Sequence, residues 1–483
     1  MSGEPAYEPV IGLEVHAQLL TQSKMFCSCS ASYSGAAPNT HVCPVDLGLP
    51  GSLPVANQAA VEQAIMVALA LNCQIAPITK FDRKNYPYPD IPKGYQISQY
   101  DTPLGRDGYV DFESETGSER CGIIRVHMEE DTGKTIHGRM GGKDVSLVDY
   151  NRSGVPLLEI VSHPDLRSSA GARRYFETLR EILVYLGVCS GDMQEGALRA
   201  DINVSVRRPG SEHGVKVEIK NLNSFRAVAR AVEFEIDRQV RCLEAGGTLT
   251  QETRGWDEAA EKTVPQRSKE FAEDYRYFPE PDLPPLDVPK VLVDAVRSRM
   301  PEAAAKKRER YVNHYGLTAY DAAVLTQDPE LARLMDQTVA AAPFAEPKAI
   351  SNWLTGELLR LLHETGMEPA VVPITPQLLA GLLKLLADGT ISNAIGKTVF
   401  EEMFRSGTNA ATIVRERGLT QMGDPEELRQ VVEQVLTANP GLVKQYVEQD
   451  RKTEGPLIGQ VMKATGGKAN AAIVKDLIAE KLS

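Results

Sequence analysis

The sequence predicts an α+β fold, and three observations carry that prediction. Up to about Pro289 the chain is rich in Gly, Pro and Tyr, with short segments of alternating polarity that read as strands. Beyond that point it becomes Ala- and Leu-rich with a helical period. Between the two textures lies FPEPDLPPLDVP (Phe278–Pro289), too Pro-rich to continue a helix or a central strand. With 483 residues, the chain is expected to form about three domains. These are a sheet domain over 1–292, a helical domain over 293–407 and a small all-helical tail over 408–483.

The first strand is Val10–His16, with Ile11, Leu13 and Val15 on one face and Glu14 and His16 on the other. Ile123–Glu129 alternates in the same way and sets Arg125, His127 and Glu129 together; Glu130 breaks the parity and is expected where the strand runs into a loop. Arg199–Val206 groups Arg199, Asp201, Asn203 and Ser205, and in Val215–Lys220 two Lys flank Glu218. In the second half, Asp328-Pro329, Asp424-Pro425 and Asn439-Pro440 each read as an N-cap followed by Pro at the first helical position. RSGTN around Gly407 breaks two helical patterns. Gly466-Gly467 ends one helix before another at Lys468–Leu482.

Composition narrows the function classes. At 42% hydrophobic and 24% charged residues, the chain is not a low-complexity sequence. Its net charge of −12 requires any nucleic-acid contact to come from local basic patches. The longest apolar stretch, near Ala64–Leu71, is far short of the roughly 20 residues that cross a bilayer. MSGEPAYEP lacks the features of a signal peptide. A soluble, cytoplasmic protein without membrane contact is expected. Seven Cys favour free thiols or a metal site over a disulfide framework.

A single alternating strand is usually the solvated face of a sheet. Here four strands bring carboxylates, a His and several cations to one type of face. Oxygen ligands plus imidazole suit Mg²⁺ or Mn²⁺, and neighbouring Lys and Arg suit phosphate. The pattern therefore points to a Mg²⁺–nucleotide site on an open sheet. Asp131-Thr132-Gly133-Lys134-Thr135 is not a Walker A cradle, because Met128 stands where the first Gly belongs. No glutamine-hydrolysing triad is visible, so any ammonia must come from another chain. Cys27, Cys29, Cys43 and Asp46 are spaced either as ligands of a structural Zn²⁺ or as plain loop thiols. Cys73, Cys121, Cys189 and Cys242 read as core residues.

The segments LVDYNRSGVPLLEIVSHP (Leu147–Pro164), IGLEVH (Ile11–His16), KFDRKNYPYPDIPKGYQISQYD (Lys80–Asp101) and HMEEDTGK (His127–Lys134) carry a resemblance. EGALRADIN (Glu195–Asn203), EIKNLNSF (Glu218–Phe225), DYRYFPEPDL (Asp274–Leu283) and GQVMKATGGKAN (Gly459–Asn470) extend it over essentially the whole chain. The chain resembles the B subunit of the glutamine-dependent aspartyl/glutamyl-tRNA amidotransferase. The resemblance implies a cradle like the glutamine synthetase/guanidino kinase fold and ATP-dependent phosphorylation of the side-chain carboxylate of Glu-tRNA(Gln) or Asp-tRNA(Asn). Ammonia from a glutaminase A subunit would then form the amide, with a small C subunit completing a heterotrimer. Chemically this is sensible: a carboxylate would have to expel oxide, whereas an acyl phosphate expels phosphate. The attacking carboxylate is already ionised, so no base is needed and the protein supplies charge neutralisation and positioning.

The family's Mg²⁺ ligands carry over to Glu14, His16, Glu130, Asp201 and Glu218, and its phosphate or substrate contacts to Lys84, Arg199 and Lys220. Many relatives have a Cys where this chain has Asp46, a departure that puts zinc in question. The tail resembles a module that contacts the outer corner of tRNA, through residues such as Lys463, Lys468 and Lys475. Seven Lys/Arg against five acids between Lys444 and Lys481 agree with that role. The alternative is a non-catalytic tRNA-binding scaffold, which would not need the acidic set.

Overall fold

The alternation at the start of the chain becomes β1 (Glu8–Gln18), where Ile11, Leu13 and Val15 are fully buried. Glu14 and His16 take the opposite face. The structure, a computed structural model, describes residues 6–115, 117–268, 275–422, 424–448 and 454–482. Asp274 of the DYRYFPEPDL segment, and Asp450, Arg451 and Lys452 among the charges counted between Lys444 and Lys481, lie outside these. The chain divides into two units, Met1–Ala303 and Ala304–Ser483.

In the first unit β1 leads to α1 (Gln58–Ala70), β2 (Gln74–Ile75), β3 (Ile78–Thr79), β4 (Asp82–Asn85) and β5 (Tyr95–Ser98). Next come β6 (Gly105–Ser114), β7 (Gly117–Glu130), the hairpin β8 (Lys134–Met140) and β9 (Lys143–Asp149), and β10 (Pro156–Ser162). Then follow α2 (Ser169–Tyr185), β11 (Leu198–Arg207), β12 (Val217–Leu222), α3 (Phe225–Glu244), β13 (Glu252–Asp257) and β14 (Lys262–Ser268). The unit closes with β15 (Phe278–Pro279), β16 (Leu286–Asp287) and α4 (Lys290–Ser298).

Nine strands form the main sheet in the order β14-β13-β12-β11-β1-β10-β7-β6-β2. All pairs are antiparallel except β12 with β13, which are parallel because α3 carries the chain back across the sheet. Ser168 and Ser224 cap α2 and α3 by accepting the N–H groups of Gly171 and Ala227. From these helices Tyr175, Phe176, Leu179, Leu183, Val228 and Val232 join Leu13, Val15, Ile202 and Val204 in one core. Each such side chain contributes roughly 1.5–3 kcal/mol by leaving water. Helices thus cover one sheet face and leave the other to polar side chains. The small sheet β15-β4-β5 meets the end of that polar face, where Ser98 donates to Glu129 at 3.1 Å.

Three expectations are corrected in this unit. β7 stays regular through Glu130, which pairs with Pro156, so Glu130 does not lie in a loop. β12 starts at Val217, and the exposed Val215 precedes it. The cut at 292/293 falls inside α4, whose Val296 is buried in the first core, so the helix belongs with the sheet.

The second unit is helical: α5 (Ala304–Asn313), α6 (Ala319–Leu325), α7 (Pro329–Ala341), α8 (Pro347–Asn352), α9 (Leu359–Thr365), α10 (Pro376–Ala387), α11 (Asn393–Ser406) and α12 (Ala410–Arg417). α13 (Pro425–Ala438), α14 (Pro440–Glu448), α15 (Glu454–Ala464) and α16 (Ala471–Leu482) follow. Asp328 and Asp424 cap α7 and α13, each with Pro in the first turn. Asn439 instead turns its side chain back to the Val435 carbonyl at 2.8 Å and closes α13, not α14. Gly407, at φ 68°, ends α11 as its RSGTN context predicts. It is not a domain border, however. Ile413 and Val414 of α12 are buried with α5–α11, and a separate core forms only from Leu428 onward.

Candidate active site

β1 lies between β10 and β11, and cross-strand register decides what meets on the polar face. Glu14 stands opposite Asp201 on β11, and His16 stands opposite both Glu159 on β10 and Arg199 on β11. Glu159 in turn faces His127 on β7. Two groups result. Glu14, Asp201 and Glu218 bring one ligand atom each within 4.8 Å of one another, and His16, Glu129 and Glu159 do the same. Glu14 and His16 are two residues apart on one strand, so the groups are neighbours about 7 Å apart along the strand.

The electrostatics show a face dense in negative charge. Burial, then the charges of Glu159, Asp201 and Glu218, raise the Glu14 pKa despite His16 nearby. Burial opposes protonation of His16, but Glu159 and Glu129 outweigh it and raise its pKa. The same contest takes His127 up to about 9, with its Nε2 3.4 Å from Glu159 and 3.8 Å from Glu129. The Nδ1 of this buried His127 has no hydrogen-bond partner among the described residues. Lys220 bridges Asp201 and Glu218, at 3.3 Å from the latter, while Thr253 donates to Glu218 at 2.8 Å. Arg199 is held by Asp131 at 3.1 Å, and Gln18 supports Asp131 at 2.7 Å. The Lys84 ammonium is raised in pKa: burial opposes its charge, and Glu129 more than compensates.

The donor set fits a divalent cation of the Mg²⁺ or Mn²⁺ type. Each group supplies carboxylate oxygens, one with imidazole, and their mutual repulsion is what a cation relieves.

Of the five metal-type residues read from the sequence, Glu14, Asp201 and Glu218 come together and His16 joins the adjacent group. Glu130 joins neither. Its carboxylate pairs with the buried Lys93 and accepts the Ile97 N–H at 2.9 Å. Because β7 remains regular, Glu130 shares the parity of the buried Val126 and Met128, while Glu129 shares that of His127. Glu129 and His127 lie within the alternation, so strand parity, once β7 stays regular, places Glu129 and not Glu130 on the face of His16 and Glu159. Sequence reasoning misses Glu159. Its signal is a lone acid inside the apolar run of PLLEIVS, 7% exposed.

Cys27, Cys29, Cys43 and Asp46 also bring ligand atoms within 4.8 Å. Asp46 is 2% exposed; one oxygen faces the Cys27 thiol at 3.5 Å, and the other accepts the Cys43 N–H at 2.9 Å and lies 3.3 Å from the buried Lys24 ammonium. That arrangement leaves one carboxylate oxygen for a metal and fits a tetrahedral Zn²⁺ with three thiolates. Gly154 of the NRSGVP segment packs here. Its φ is 84°, and a Cβ would lie 2.6 Å from an Asp46 oxygen, so glycine is required twice over. In the tail, Lys463 is exposed, Lys468 is half-buried, and Lys475 lies 3.2 Å from Glu454.

Fold and site define an α+β protein whose polar sheet face carries two adjacent carboxylate groups flanked by Lys and Arg. Residues 9–294 match the family described as the GatB/GatE catalytic domain, and residues 333–482 match the GatB domain. The B subunit of the aspartyl/glutamyl-tRNA(Asn/Gln) amidotransferase of Moorella thermoacetica is 54% identical over 477 residues, covering 99% of this chain and 100% of that protein. Its counterparts of the same name in Thermoanaerobacter pseudethanolicus and Roseiflexus sp. are 53% and 52% identical, each across 99% of this chain and, respectively, 99% and 98% of theirs. The chain belongs to the GatB/GatE family.

Proposed function

We propose that this chain is the B subunit of an aspartyl/glutamyl-tRNA amidotransferase. It activates the side-chain carboxylate of Glu-tRNA(Gln) or Asp-tRNA(Asn) by phosphorylation from ATP, and ammonia from a partner amidase then forms the amide. A small C subunit would complete the heterotrimer, and the tail lysines Lys463, Lys468 and Lys475 would contact tRNA phosphate. The observation that carries this reading is the pair of acidic groups, Glu14/Asp201/Glu218 and His16/Glu129/Glu159, side by side on one sheet face.

Mg²⁺ held by these groups would neutralise phosphate charge and align donor and acceptor. Arg199, fixed by Asp131, and Lys84, charged beside Glu129, supply positive charge for phosphate oxygens without reorganising. Lys220, now seated on Asp201 and Glu218, is placed to move from those acids to an incoming phosphate. The substrate carboxylate attacks in its ionised form, so no side chain needs to remove a proton. Cys27, Cys29, Cys43 and Asp46 would hold Zn²⁺ as a structural ion that ties the loop after β1 together.

In the complex assembled with its amidase and small partner chains, Glu129→Gln should lower Glu-tRNA-dependent ATP cleavage by at least about 10²-fold. Its tRNA affinity in a filter-binding titration should stay within about twofold. Unchanged ATP cleavage in that variant would refute the site.

A further inference from the structure

The Tyr-rich segments KNYPYP (84–89) and YRYF (275–278) are far apart in sequence and take no part in the groups above. The β15-β4-β5 sheet brings them together: Phe278 pairs with Arg83, and Asp82 pairs with Ser98. Tyr100 and Tyr277 stack with ring centroids 4.2 Å apart and planes 11° from parallel. Tyr275 meets Tyr277 edge-on at 6.2 Å, and Tyr86 meets Tyr275 at 5.9 Å. Rings packed only for stability lose their faces to neighbours, yet Tyr100 remains 52% exposed.

Two further features link these rings to the active face. Lys84 Nζ lies 5.1 Å from the Tyr275 ring centroid, and its charge is sustained by Glu129 and Glu159. The Tyr277 hydroxyl, pushed up to about 12 first by burial, also feels Lys84, Glu129 and Glu159. The rings are held firmly. Arg276, between the two tyrosines, sits at φ 47°, a left-handed conformation that costs a non-glycine residue energy. Asn85 stabilises it by donating its backbone N–H to the Tyr275 carbonyl at 2.9 Å and its side chain to the Arg276 carbonyl at 2.8 Å.

A nucleoside triphosphate carries a flat aromatic base at one end and a cation-seeking phosphate chain at the other. The tyrosines offer the first contact; the His16/Glu129/Glu159 group offers the second, with Lys84 between them. We propose that Tyr100 and Tyr277, backed by Tyr275 and Tyr86, form the stacking platform for the adenine ring of ATP. The inference rests on the phosphorylation reading above and assigns the base-binding half of that site. Stacking is tolerant of base identity, so the platform gives affinity more than selectivity.

The test compares MgATP with magnesium tripolyphosphate, which has the phosphates without the base, in calorimetric titrations of the full chain. Y100A/Y277A should weaken ATP binding roughly 10- to 100-fold and leave tripolyphosphate within about twofold, which also shows that the variant is folded. Y100F/Y277F should match the parent. Unchanged ATP affinity in the alanine pair, or equal losses for both ligands, overturns the platform while leaving the phosphorylation site intact. A parent chain that binds neither ligand removes that site, and the platform with it. If the alanine pair binds ATP normally but loses affinity for tRNA only when the terminal adenosine is present, the ring belongs to tRNA and the ATP assignment is overturned.

Discussion

Glu129 and Glu130 are adjacent acids with opposite surroundings. Glu129, itself buried, faces His16 and Glu159 on the polar side of the sheet, whereas Glu130 neutralises Lys93, their side chains 5% and 6% exposed. Removing one partner of a buried ion pair leaves the other charge uncompensated, at about 3–5 kcal/mol. Glu130→Gln should therefore lower the melting temperature of the metal-free chain markedly and leave Mn²⁺ affinity within about twofold. A stable variant that no longer binds Mn²⁺ would restore Glu130 to the metal site. His127 gives a pH test. Its pKa rises from the ordinary 6.5 to about 9 in the folded protein, so the stability it adds is complete below about pH 6.5 and fades as pH climbs through 9. In EDTA, the melting-temperature gap between the parent and His127→Gln should be wide at pH 6 and nearly closed at pH 10. A gap that widens with pH would mean that the imidazole is neutral when buried.

At the scale of elements, strand periodicity is the most informative part of the sequence. A period of two places Glu14 with His16, Arg199 with Asp201, and Lys220 beside Glu218, and these residues do share one face. Which acid of the EED segment faces that side depends on whether β7 stays regular. That in turn depends on its pairing with Pro156, a long-range contact invisible locally. Glu159 is hidden because β10 reads as a plain buried strand. Its acid is explained only by its cross-strand neighbours His16 and His127. The joining of the two Tyr-rich segments likewise requires β15 to add to β4 across nearly 200 residues of chain. Helix starts are legible at Asp328 and Asp424 because capping is local chemistry, whereas Asn439 serves the preceding helix instead. The core contact of α2 supplies a stability test of the sheet–helix arrangement. Leu179→Ala, at a fully buried position, should cost about 2–5 kcal/mol, measured by urea unfolding of the first unit's signal. A loss under about 1 kcal/mol would place α2 off the sheet.

At the scale of the whole molecule, the proposed function assigns chemistry and tRNA contact to different parts of the chain. The acidic groups belong to Met1–Ala303, and Lys463, Lys468 and Lys475 lie on or between α15 and α16 of Ala304–Ser483. Truncation after Gly407 would strip α12, with its buried Ile413 and Val414, from the middle core; a cut after Thr420 spares it. The chain shortened to Thr420 should bind tRNA at least about tenfold more weakly and bind Mg²⁺ as the parent does; equal tRNA affinity would exclude the tail from the interface. If one sheet face holds divalent cations for phosphoryl transfer, anomalous diffraction from crystals soaked in Mn²⁺ and ATP will locate them there. Mn²⁺ peaks are expected within ligand distance of His16, Glu129 and Glu159 and of Glu14, Asp201 and Glu218; density confined to other residues, or none on this face, would rule the metal site out.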